Sequence, residues 1–136
     1  MSSTQQNEAL VRRLFEEVWN ENKMDMAEEI IHDGYRSSEN ITFASERGIK
    51  VLAADINFYR EMYSDLNFQI KRMFSQGDTV VTVWQASGVA TNEFFTDRAG
   101  NERNKELRAE GVSLSEIVDG KIIESGLYWP RYPLFP

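Results

Sequence analysis

Residues 63–88, YSDLNFQIKRMFSQGDTVVTVWQASG, decide the fold. Two strand-like runs flank Ser75-Gln76-Gly77-Asp78, and a Gly-Asp pair between β-rich runs is a hairpin signal. In the first run Phe68 and Ile70 alternate with Asn67, Gln69 and Lys71, the pattern of a strand with one buried face. In the second, Val80, Val81, Val83 and Trp84 leave almost no polar side, so this strand is predicted to be covered on both faces or to lie in the middle of a sheet. A long hairpin of this kind can floor a pocket.

Upstream of the hairpin the periodicity changes from two to that of a helix. Leu10, Val11, Leu14, Phe15, Val18 and Trp19 recur at helical spacing, with Arg12, Arg13, Glu16 and Glu17 on the other side, and Asn20-Glu21-Asn22 breaks the pattern. A second, short helix is predicted around Met26, Ala27, Ile30 and Ile31, with Asp25 as N-cap and Gly34 as its end, which puts His32 at the helix C-terminus. Residues 35–43 read as a short strand and loop. A third helix, 49–63, places Ile49, Leu52, Ile56, Tyr59 and Tyr63 on its buried face and Lys50, Asp55, Arg60 and Glu61 mostly off it.

Downstream, a polar loop containing Gly100-Asn101 leads to two more strands, 105–118 and 121–129, joined by a tight turn at Asp119-Gly120. The chain ends in PRYPLFP, read as a cover over the mouth of the fold or a reach to a neighbouring subunit. Three helices followed by an antiparallel meander predict an α+β domain, a cone-shaped curved antiparallel sheet wrapped around the N-terminal helices. At 136 residues one domain spanning 1–136 suffices.

Composition narrows the function classes. A formal charge of −7 without any Lys/Arg run argues against a nucleic-acid partner. The absence of cysteine excludes disulfides, thiolate metal sites and cysteine nucleophiles, and one histidine makes a transition-metal site an unsuitable reading. MSSTQQNE lacks the features of a signal peptide and no apolar run approaches ~18 residues, so the default expectation is a cytoplasmic protein without a membrane partner.

The element order, Tyr63-Ser64-Asp65-Leu66, Gln76-Gly77-Asp78 followed by Val80, and Val118-Asp119-Gly120-Lys121-Ile122 together resemble the SnoaL-like polyketide cyclases, members of the nuclear-transport-factor-2-like superfamily. The stretch from Gly120 to Tyr128-Trp129 also resembles the last strand of the related ketosteroid isomerases. The resemblance implies a small-molecule pocket inside the cone, a homodimer formed across the sheet, and acid-base chemistry on a hydrophobic substrate with no metal or organic cofactor. It also points to positions that carry functional groups in relatives. Here those positions hold Ala90 in place of a histidine, Gly126 and Pro130 in place of a Trp and an Asp, Leu14 in place of an oxyanion-binding tyrosine, and Ser113 in place of its partner acid.

Three carboxylates are candidates for proton transfer. Glu39 lies near where ketosteroid isomerases place their base, and reads as a general base or as a solvated loop glutamate. Asp65 closes the third helix, at a pocket edge or bonded to local backbone. Glu110 shares a strand face with Arg108, either as an ion pair lining the cone or as an exposed pair of little weight. Trp19, Tyr35, Phe43, Tyr59, Tyr63, Phe68, Trp84, Tyr128 and Trp129 converge from helices and strands, and read as pocket walls or as core, with Tyr59, Tyr63 or Tyr128 able to polarise an oxygen. The leading expectation is a cofactor-free cyclase, isomerase or hydrolase acting on a natural-product intermediate such as a polyketide or terpenoid. The rival is a binding module of the same fold.

Overall fold

The structure is a computed structural model that describes residues 3–38, 46–91 and 106–130. Helix α1 (Ser3–Arg13) runs without a break into a π-helical turn, Leu14–Trp19. Helix α2 (Met24–Ile30) leads directly into strand β1 (Ile31–Ser37). Helix α3 (Ile49–Met62) leads equally directly into β2 (Tyr63–Gln76), which is followed by β3 (Thr79–Ala90), β4 (Glu106–Val118), β5 (Lys121–Ser125) and β6 (Leu127–Tyr128). The α+β fold predicted from the pattern is the one observed, three helices on a curved, mostly antiparallel sheet.

The sheet order is β1-β5-β4-β3-β2, with β6 paired to β4. β3 therefore lies in the middle, where its apolar run placed it. One of its faces is fully buried at Val80, Thr82, Trp84, Ala86 and Ala90, and the other is half-covered. The β2–β3 turn rests on Gly77 in the left-handed region (φ 57°). The β4–β5 turn puts both Asp119 (φ 53°) and Gly120 (φ 74°) there, as a two-residue hairpin of the primed type requires.

Three local expectations are corrected. The second helix ends at Ile30, before Gly34, because Ile31–Ser37 pairs in parallel with β5; His32 thus sits on a strand, its Nδ1 accepting the Gly34 N–H (2.9 Å). Asp25 lies inside α2, whose N-cap position is Lys23 with no side-chain cap. The first helix also does not stay α-helical to its end. Leu14, Phe15, Val18 and Trp19 of the π-turn are all buried, on the face that the helical spacing gave them.

Gly111 marks the tightest packing. A Cβ there would lie 2.3 Å from Trp84 Cη2 and 2.6 Å from the Tyr128 carbonyl oxygen, so only glycine lets the indole lie flat against β4. The inner face of β4 is accordingly built from small side chains, Gly111, Ser113 and Ser115, beneath the bulk that β3 and the helices supply.

Candidate functional site

The interior of the sheet divides into an aromatic part and a polar part, and Trp19 touches both. On the aromatic side, Trp84 meets Trp129 (centroids 4.9 Å apart) and Phe68 (5.1 Å), both edge-on. Tyr59 from α3 meets Trp129 (5.7 Å) and Trp19 (5.8 Å), and Trp19 meets Phe68 (5.4 Å). All but the Tyr59–Trp129 pair, whose planes are tilted by 30°, are edge-to-face, the arrangement that aromatic quadrupoles favour. The polar ends of the rings are engaged. Trp129 Nε1–H donates to the Tyr59 hydroxyl (3.0 Å), and Trp84 Nε1–H donates to Ser113 Oγ (3.0 Å). The Asn20 side chain exchanges both of its groups with the backbone of Phe68 (2.9 and 2.7 Å), and Arg60 donates to the Trp19 carbonyl (3.1 Å). The end of the π-turn is thereby pinned to β2 and α3 at the point where Trp19 turns inward.

On the polar side lies Asp55. It projects from the middle of α3 and is only 2% exposed. The Ser37 hydroxyl hydrogen-bonds its carboxyl, while Oδ1 has no hydrogen-bond partner among the described residues. Burial pushes the Asp55 carboxyl above the usual carboxylate range, and the bond from Ser37 only partly offsets that. Asp55 lines a cavity of about 10 Å³ together with Leu14, Trp19, Tyr35, Ser113 and Ser125. That volume is close to the space of one oxygen atom or one water. The Tyr35 hydroxyl and Ser125 Oγ share a hydrogen bond of 2.7 Å beside it. Nearby on the inner sheet face, the buried Thr82 and Ser115 hydroxyls lack partners among the described residues, so this half of the core is polar and under-satisfied.

The residues singled out from the sequence separate cleanly. Trp19, Tyr35, Tyr59, Tyr63 and Trp84 are buried, and Trp129 is half-buried against them. Tyr63, where β2 begins, has its phenol pushed up to about 12 by burial and stays neutral through the physiological range. Tyr128 does not belong to the interior: it is 48% exposed, because the two-residue β6 turns it outward while Leu127 points in. Asp65 is exposed at a β-bulge between Ser64 and Asn67, in the left-handed region (φ 54°), where it serves the bend of β2. Arg108 and Glu110 do share a face, but it is the outer one. Both are exposed, and Arg108 pairs with Glu106 (3.4 Å). Glu39 and Phe43 lie outside the described residues, as does the chain after Pro130.

Asp55 is the buried carboxyl that the helical pattern passed over. Its spacing carried the signal, since it stands three residues after Leu52 and four before Tyr59, both on the buried face. Leu14 and Ser113, the two positions at which the ketosteroid-isomerase resemblance finds no donor tyrosine or acid, also line the Asp55 cavity.

Three helices on a curved, mostly antiparallel sheet make an α+β fold of a defined class. The chain belongs to the SnoaL-like polyketide cyclase family, whose model matches residues 9–135. Solved structures agree on the fold. A protein of Jannaschia sp. CCS1 assigned as a SnoaL-like polyketide cyclase is 24% identical, with a TM-score of 0.76 over 95% of this chain and 89% of its own. TsrD of Streptomyces laurentii is 18% identical, with a TM-score of 0.75 over 95% of this chain and 91% of its own. AclR of Streptomyces galilaeus, assigned as a hydroxylase, is 17% identical, with a TM-score of 0.73 over 97% of this chain and 94% of its own. No curated protein matches the sequence. Among the described residues no helix is long and apolar enough to cross a membrane, and no group of three or more His, Cys, Asp or Glu side chains is placed to hold a metal ion.

Proposed function

We propose that the protein is a cyclase or isomerase working by acid-base chemistry, without a cofactor, on a flat hydrophobic natural-product intermediate such as a polyketide. The observation that carries this reading is the buried Asp55 carboxyl, which opens on a polar recess beside an aromatic wall. A carboxyl whose pKa burial raises holds its proton more firmly than a solvated one and can exchange it with a substrate oxygen. Trp19, Tyr59, Phe68, Trp84 and Trp129 supply rings against which an extended π-system stacks. Asp55 thereby takes over the proton-transfer role that sequence reading gave to Asp65 and Glu110, both of which face water.

The test is turnover of a panel of linear poly-β-ketones and aromatic ketones bearing a β-keto side chain, with products separated chromatographically. The wild-type protein converts at least one member, and Asp55→Asn slows that conversion by about a hundredfold or more, the usual weight of a proton-transfer group. Unchanged turnover in Asp55→Asn would falsify the assignment. A second reading, binding without conversion, is favoured by one specific observation, the buried Ala90 at the position where relatives have a histidine. Tight binding of the panel with no product from any member would establish it.

Homodimerisation belongs to the same proposal. The outer sheet face carries a cross-strand row, Phe74, Val81 and Leu114, next to a second, Val83, Val112 and Tyr128. Phe74, Leu114 and Tyr128 are each more than 40% exposed. A contiguous apolar patch of this kind on a sheet suits a second copy of the chain. Sedimentation at micromolar concentration gives a dimer, and Leu114→Glu gives a monomer.

A further inference from the structure

We propose that His32 is a pH-sensitive latch: its neutral imidazole closes a bulge in β1 on which the N-terminus of α3 is docked, and protonation of the ring releases both. The latch works independently of any ligand.

The bulge is large. Ile31 pairs with Ile122 and Arg36 with Glu124, so β1 spends four residues, His32 to Tyr35, where β5 spends only Ile123. Such a stretch has left the ladder, and its backbone groups need other partners. The Gly34 N–H finds one in His32 Nδ1 (2.9 Å). The fit is close, since a Cβ on Gly34 would lie 3.4 Å from that nitrogen and 3.8 Å from Ile123 Cδ1. The Tyr35 carbonyl accepts the N–H of Gly48, the N-cap residue of α3 (2.8 Å), and a Cβ on Gly48 would lie 3.2 Å from the Asp33 carbonyl oxygen. The helix that carries Asp55 is thus seated on the bulge that His32 closes. Nδ1 accepts only while the ring is neutral; the imidazolium has an N–H there, and two donors then face each other. The charged groups nearest the bulge on the elements packed against it are Asp33 and Arg36 of β1, Lys121 and Glu124 of β5, Glu28 and Glu29 of α2, and Lys50 at the start of α3. Arg36 is held by Glu124, Glu29 by Arg13 and Lys50 by Glu46, while Lys121 reaches the Glu28 carbonyl. Imidazole is the side chain that ordinarily changes charge between about pH 5 and pH 8, and Asp55, raised by burial, is the group to be separated from it.

The test is an NMR series between about pH 5 and pH 8 on the isotope-labelled full chain. His32 is the only histidine of the chain, so its ring signals report its own titration without ambiguity. In the wild type the Gly34 amide resonance moves with the midpoint of the ring. Hydrogen exchange at the Gly34 and Gly48 amides, corrected for its intrinsic pH dependence, is about tenfold faster on the acid side, the worth of about one hydrogen bond. His32→Asn supplies an oxygen acceptor that does not titrate, and it abolishes the pH response at both amides. His32→Leu, with no acceptor, gives fast exchange at every pH. A response that persists in His32→Asn belongs to Asp55 and overturns the latch. So does a Gly34 amide that stays unmoved while the ring titrates, or a ring that does not titrate in this range. A response at Gly34 with unchanged exchange at Gly48 overturns the docking of α3 on the bulge. Should a variant fail to fold, the wild-type series decides by whether the two midpoints coincide.

Discussion

Two neighbouring parts of one core follow different rules here. From Trp19 towards Trp129 the interior is ring against ring, and both indole N–H groups of Trp84 and Trp129 are bonded. From Trp19 towards Asp55 the interior is carboxyl and hydroxyl, with Asp55 Oδ1, Thr82 Oγ1 and Ser115 Oγ buried and unbonded among the described residues. The aromatic half is what packing for stability produces. The polar half lowers stability, since each buried unsatisfied polar group costs about 1–3 kcal/mol, and such a cost is retained where chemistry needs it. The difference teaches that the site is to be sought where the core is poorest, not where its rings are most numerous.

The largest effect is expected from breaking the aromatic half. Trp84 is fully buried, contacts Phe68 and Trp129, and lies against Gly111, where no other residue could follow to fill its space. Trp84→Ala should cost about 3–5 kcal/mol, the range for truncating a large buried aromatic. It also removes the donor to Ser113, leaving that hydroxyl in the polar half without its partner. Urea denaturation monitored by circular dichroism measures the loss, and a change under about 1 kcal/mol would show that the rings are not a tightly packed core.

Asp55→Asn sharpens the comparison from the other side, because here a substitution is expected to stabilise. The carboxyl titrates near 3.8 when unfolded and above that in the fold, because burial disfavours its charged form. A raised folded pKa means stability that is fully present below about pH 4 and is lost as pH rises through the folded value. The asparagine variant has no charge to bury, so its melting temperature should exceed that of the wild type at neutral pH, and the gap should close in acid. Melting curves between about pH 3 and pH 8 test this. A gap independent of pH would mean that Asp55 is already ionised without penalty.

The same contrast explains what the sequence could and could not reveal. The hairpin, the helical stripes and the Asp119-Gly120 turn are local patterns, and each survives folding because strand alternation and turn chemistry are set by neighbours in the chain. Asp55 was lost because a helical pattern assigns acids to the solvent side, and only the tertiary approach of β1 and the π-turn closes over it. For β4 the pattern misdirects outright. Val112 and Leu114 face outward, and between Gly111 and Ser115 the inner face holds only glycine and serine, since Trp84 lies against Gly111; Ile117 is the large apolar side chain of this strand that is buried. Alternation placed Arg108 and Glu110 together correctly, but which face they share depends on the partner layer. Glu39 lies outside the described residues, and its role stays with the sequence reading.

A smaller effect probes the seam between the halves. Tyr59→Phe keeps the ring contacts with Trp19 and Trp129 and removes only the hydroxyl that accepts the Trp129 N–H. Because Trp129 is half-buried, water can replace part of the lost bond, and the expected destabilisation is about 1 kcal/mol. The more informative readout is the exposure of Trp129. Untethering it should raise the quenching of tryptophan fluorescence by acrylamide, and unchanged quenching would show that the hydrogen bond does not hold the ring in place.

The smallest effect is expected outside both halves. Arg108 and Glu106 form an ion pair on the outer face, 71% and 67% exposed, and Glu110 stands beside them opposite Gln85. Water screens such a pair, and the entropy of holding two long side chains offsets most of its attraction, so Arg108→Ala should change stability by no more than about 0.5 kcal/mol. Glu110→Gln should likewise leave turnover intact, because a carboxylate on the outer face is separated from the Asp55 recess by the sheet itself. These two variants make the contrast sharp. Catalysis that depended on Glu110 or Arg108 while tolerating Asp55→Asn would move the active site to the other side of the sheet, where the apolar rows of Phe74 and Leu114 would then have to be its walls instead of a dimer contact.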